Sequence, residues 1–169
     1  MDKVEQLFEQ FRARTNSSAA SKLDVLLDLD RLSDPRLVPF LLQVLAETTQ
    51  PAEVRVHIVK RLRNRRLASE SRAAVAQAMI ELLAAGTSPD LRLQVALALV
   101  EFTLCERVPF MLGSLALDVT EPLDLRYSAF TSLERAGPTP ESIDILRQLL
   151  ADETLGPSAR SLLSSWRVA

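Results

Sequence analysis

Seven basic side chains crowd into residues 51–72: Arg55, Lys60, Arg61, Arg63, Arg65, Arg66 and Arg72. Only Glu53 and Glu70 oppose them, a local balance of +5. The rest of the chain runs the other way, with 6 basic and 8 acidic residues over 1–50 and 7 and 12 over 73–169, so the formal net charge is −2. A cluster of guanidinium groups suits an oxyanion, because each offers a planar fork of donors to carboxylate or phosphate. Arginine supplies 17 of the 20 basic residues everywhere in the chain, so its use within the run carries no extra signal. Acid–base and nucleophilic chemistry has less to work with. His57 is the sole histidine and Cys105 the sole cysteine, 48 residues apart. That leaves no base for the thiol and no multi-His or multi-Cys metal site. His57 reads as a packing or surface residue and Cys105 as a buried structural thiol. Asp24 and Asp28 share a helix face at a spacing of four. They, Glu101 with Glu106, and Asp152 with Glu153 read as solvated faces, since none has a convergent partner of a different pKa. No Gly-rich phosphate loop, H-E-x-x-H or G-x-S-x-G occurs. The sequence therefore assigns no catalytic, cofactor-binding or metal-ligating residue and points away from an enzyme.

The elements that must carry the basic run are helices. Of 169 residues, 51 are Leu or Ala, both strong helix formers, and aromatic residues make up only 5%. No stretch alternates long enough for a strand. Val4, Leu7, Phe8 and Phe11 recur on one helical face. Residues 15–21 form a polar connector, with Ser17 or Ser18 as N-cap of the next helix. Asp34-Pro35, Ser88-Pro89 and Thr139-Pro140 each set a capping side chain before a proline at the first helical position. Gly86 and Gly137 fall where helices should end. Tyr127 and Trp166 lie at apolar positions and read as core. No apolar run reaches the ~18–20 residues of a membrane span, and MDKVEQLFEQFRAR lacks the apolar stretch of a secretory signal. A cytoplasmic setting is the expectation.

An internal repeat organises these helices. Pro51-Ala-Glu-Val-Arg55, Pro89-Asp-Leu-Arg92, Pro122-Leu-Asp-Leu-Arg126 and Pro157-Ser-Ala-Arg160 place their arginines 37, 34 and 34 residues apart, and Lys22 lies 33 before Arg55. Leu37-Val-Pro-Phe-Leu-Leu42 matches Arg107-Val-Pro-Phe-Met-Leu112, two periods later. Each period holds two helices. Helix A is expected at 18–32, 51–64, 89–103, 122–136 and 156–167, and helix B at 35–47, 69–85, 106–118 and 140–152. With the N-terminal helix that makes about ten. Neither helix of a pair buries its apolar face alone, so pairs must stack. The repeated arginine, at the start of helix A, is placed to reach the C-terminal carbonyls or carboxylates of a neighbouring element.

A D-P-x-V-R-like opening of helix A and a V-P-x-L-L opening of helix B resemble HEAT repeats of the phycobilisome-lyase-like class, over residues 21–169. Lys22 departs from that pattern, repeat two has a longer and very basic turn, and the last repeat is half present. The resemblance implies an all-α, right-handed α-α superhelix of the HEAT/armadillo kind. It would form one domain, with an N-terminal capping helix at 1–16 and four repeats plus a half-repeat over 17–169. It further implies a binding scaffold. The functional expectation is a non-enzymatic, monomeric protein–protein interaction scaffold without cofactor. One alternative is a nucleic-acid-binding protein using the basic surface of repeat two. Another, implied by the resemblance alone, is an accessory or lyase-like chromophore-handling protein. Aligning helices A by the repeat residue sets Asp28 opposite Arg61 and Asp30 opposite Arg63 as inter-repeat pairs. Lys60, Arg65, Arg66 and Arg72 are left without partners, as the candidate contacts to an anionic partner.

Overall fold

The computed structural model describes residues 1–14 and 18–168; Ser17 and residues 15–16 of the N-terminal segment lie outside them. Among the described residues are ten α-helices and no strand. They fall into two compact units, Met1–Ser71 and Arg72–Ala169.

The first unit holds α1 (Lys3–Ala13), α2 (Ala19–Asp30), α3 (Leu37–Ala46) and α4 (Ala52–Asn64). A reciprocal capping box starts α1: Asp2 Oδ1 accepts from the Glu5 backbone N–H at 2.9 Å, and Glu5 Oε2 accepts from the Asp2 N–H at 3.3 Å. Ser18 caps α2 by accepting from the Ser21 N–H. Asp34 does not cap α3. It closes a turn by accepting from the Arg36 N–H at 2.9 Å, and the helix begins at Leu37. α1 lies against α2, burying Val4, Leu7 and Phe11, each of which stabilises by about 1.5–3 kcal/mol relative to exposure. Phe8 stacks on Phe40 of α3 at 4.0 Å between centroids, and Phe11 meets the same ring edge-on at 5.6 Å.

The second unit takes in α5 (Ser69–Ala84) from Arg72 onward, then α6 (Pro89–Ala98), α7 (Val108–Leu117), α8 (Leu123–Ala136), α9 (Pro140–Leu149) and α10 (Gly156–Ser165). Ser88 and Thr139 cap α6 and α9 ahead of their prolines, as the sequence predicts. Gly86 and Gly137 take positive φ after α5 and α8. The expected helix 89–103 is α-helical only to Ala98 and tightens into a 3-10 turn, Leu99–Phe102. Packing follows the repeat: α6 on α8, α7 on both α8 and α9, and α10 on α9. Gly113 of α7 lets α9 come close, since a Cβ there would collide with Ile145.

The repeated basic residue has one structural address. Counting from each N-cap (Ser18, Pro51, Ser88 and Pro122), Lys22, Arg55, Arg92 and Arg126 are all the fourth helical residue. Three of them close on the end of the preceding helix. Arg55 Nε donates to the Leu45 carbonyl at 3.0 Å, Arg126 Nε to Ala116 at 3.0 Å and Arg92 Nε to Leu83 at 3.3 Å. Each thereby satisfies a carbonyl that a helix end leaves without a partner. Three also reach forward to an acceptor just ahead of the next A helix. Lys22 Nζ donates to Gln50 at 2.9 Å, Arg92 grips Glu121 bidentately at 2.5 and 3.0 Å, and Arg126 pairs with Asp152. Burial pushes the Arg55 guanidinium below its ordinary pKa, whereas the hydrogen bonds that Arg92 donates to Glu121 raise its own.

Two sequence expectations fail for the same reason. The N-cap of α10 is Leu155, so the fourth position is the buried Ala159, and Arg160 stands one residue on, exposed. Tyr127, expected in the core, also follows its repeat arginine by one residue and is 40% exposed. One residue turns the side chain about 100° away from the buried face. Trp166 is half-buried at the C-cap of α10, and Cys105 is half-buried, its Sγ 4.0 Å from the Arg72 carbonyl.

Candidate functional site

The last turn of α4 and the end of α2 gather the basic run. Lys22 near the start of α2 bonds Gln50 just ahead of α4, and Asp30 at the end of α2 meets Arg61 near the end of α4. The two helices therefore run parallel. Arg61 Nε lies 2.8 Å from Asp30 Oδ2, and His57 Nε2 is 3.1 Å from the same oxygen. The expected pairs Asp28–Arg61 and Asp30–Arg63 are thus replaced by one cluster. Equivalent positions on parallel helices point the same way rather than at each other, so a meeting pair must come from different register positions. His57 and Arg61, four apart, share the face of α4 that reaches Asp30.

Beyond this cluster a cleft of about 400 Å³ opens between the two C-terminal ends. Arg31, Arg61, Arg65 and Arg66 line it, with Asn64 and Ser33, against the single carboxylate of Asp30. Arg65 donates to the Leu32 carbonyl at 3.1 Å, which fixes one edge of its guanidinium. Among the described residues, no side-chain hydrogen bond or ion pair engages Arg31 or Arg66. A second cleft of about 380 Å³ shares Ser33, Arg65 and Arg66 with the first and adds Pro35, Val38 and Leu67. Its one acid, Asp34, is held at about 2 by the side chain and backbone N–H of Arg36, which also pairs with Asp2 at 2.9 Å. That carboxylate is already matched by a cation.

Of the four candidates read from the sequence, Arg65 and Arg66 line these clefts. Lys60 is exposed on α4 and lines neither. Arg72 belongs to the second unit, where it is not without a partner. Its guanidinium donates to the Glu101 carbonyl and lies 4.8 Å over the Phe102 ring. Arg31 and Arg61 complete the cleft in their place. Arg31 stands 34 residues before Arg65, one repeat period, and that spacing is the signal that finds it.

A different surface lies on α7. Phe40 and Phe110 occupy the same place in the two matching V-P-F segments. Phe40 is covered by α1 and 7% exposed, whereas Phe110 is 73% exposed. Leu104, in the turn that leads toward α7, is fully exposed. Among the described residues no group of His, Cys, Asp and Glu is placed to hold a metal ion. No helix among them is long and apolar enough to cross a membrane. No family model matches the chain, and no curated protein sequence matches it.

Proposed function

We propose that this chain is a non-enzymatic protein-interaction scaffold built from HEAT-like helical repeats, acting as a monomer in the cytoplasm. Phe110 carries the reading. A large aromatic ring is left open to solvent at a position whose counterpart, Phe40, is covered by another helix. Large apolar side chains left open to solvent on a folded protein are candidate contacts for a partner. The shared geometry of the fourth-position cations supports the repeat half of the reading, because in three repeats it ties helix A to the end of the helix before it. The test is affinity capture by the full chain from nuclease-treated native lysate, alongside Phe110→Ser and Leu104→Ser. A stoichiometric protein retained by the wild type and lost from the variants supports the scaffold. Capture that disappears with nuclease, or no capture at all, refutes it.

A further inference from the structure

We infer that the groove at the C-terminal ends of α2 and α4 is a second binding site, on the first unit, for a short acidic peptide segment carrying an apolar residue. Its two clefts share Ser33, Arg65 and Arg66, so they adjoin as one groove with two chemistries. On one side four guanidinium groups face a single carboxylate, Asp30, which is already engaged by Arg61 and His57. A surplus of cations is left there for an incoming anion. Arg31 and Arg66 are exposed with unengaged guanidinium groups, ready to take a carboxylate in the bidentate manner. The other side, formed by Pro35, Val38 and Leu67, is an apolar shelf where a Leu-sized side chain can rest. Cations beside an apolar shelf match an acidic residue followed by an apolar one. A nucleic-acid backbone fits less well. It would need cations spread along its path and aromatic platforms for its bases. Here the cations converge on one groove whose lining has no aromatic residue.

The groove is independent of the α7 surface, and its test separates the two. The probe is a fluorescein-labelled dodecapeptide of alternating Glu-Glu-Leu triplets, followed by anisotropy against the full chain in low salt. Its Gln-Gln-Leu counterpart and a labelled dT12 oligonucleotide serve as comparisons. The variant is Arg31→Ser with Arg66→Ser, which breaks no bond within the fold. The acidic peptide should bind, the Gln peptide should bind at least tenfold more weakly, and the double variant should lose about tenfold or more, two exposed charge contacts being worth up to about fivefold each. No binding of the acidic peptide, equal binding by the double variant, or tighter binding of dT12 would overturn the assignment. A captured protein lost from Phe110→Ser but kept by the arginine variant leaves the scaffold standing whichever way the peptide result falls.

Discussion

Replacing Arg126 by alanine removes a buried fourth-position cation that is paired with a buried carboxylate. Its side chain is 6% exposed and that of its partner Asp152 is 9% exposed. The change strips the Ala116 carbonyl of the Nε donor at 3.0 Å and leaves the Asp152 carboxylate without its cation. Removing one member of a buried pair costs about 3–5 kcal/mol. Asp152 keeps the backbone N–H groups of Thr154 and Leu155, both at 2.9 Å. The low end therefore applies, about 3 kcal/mol, or a fall in Tm of about 6–12 °C for a chain of this size. Arg160→Ala, one position off the buried face, should cost less than about 0.5 kcal/mol. Urea and thermal unfolding of the full chain by circular dichroism measures both. A double-mutant cycle with Asp152→Asn should give a coupling above about 1 kcal/mol. The backbone N–H of Leu155 first, and Arg126 after it, hold the Asp152 carboxyl below its ordinary range. Its stabilisation is accordingly complete above the unfolded value near 4 and is lost as pH falls through the lower folded value. Loss of Arg126 should make that acid dependence shallower. Equal stabilities for Arg126→Ala and Arg160→Ala would refute the fourth-position account.

Gly137 ends α8 at φ 85° and ψ −176°, backbone that is nearly glycine-only, with open space around its would-be Cβ. Gly137→Ala should therefore destabilise by about 1–3 kcal/mol through strain alone, as read by urea midpoint. Gly113→Ala should cost about 1–3 kcal/mol by pressing on Ile145, and adding Ile145→Val should return part of it; a double variant no better than the single would remove the contact as the cause. The Asp34 side chain should remain ionised at pH 3 in a carbon-detected NMR titration, with a midpoint of about 2, and Arg36→Ala should bring it back toward 3.8.

The helices were legible because their punctuation is local: Ser88-Pro89, Thr139-Pro140 and the glycines at 86 and 137 each act within one turn. The fourth-position cation was legible as a repeat but slipped by one residue at Arg160. A sequence match counts from proline, whereas the fold counts from the N-cap, and Pro157 lies one residue deeper in α10 than Pro89 does in α6. The pairing of Asp30 with Arg61 and His57 was missed because register alone does not say which faces of two parallel helices meet. Arg72 looked free for a related reason: its acceptor is the backbone of Glu101, and a carbonyl has no signature in sequence. Half of the groove was visible as a charge run. The other half, Arg31, comes from a neighbouring repeat, and Phe110 stands out only once Phe40 is seen to be covered.

Native mass spectrometry of the material captured by the full chain tests the scaffold most directly. The account predicts one added polypeptide mass in fixed stoichiometry, unchanged by nuclease and absent when Phe110→Ser is the bait. An added oligonucleotide mass, a tetrapyrrole with its visible absorbance, or the unaccompanied 18.7 kDa chain would contradict it.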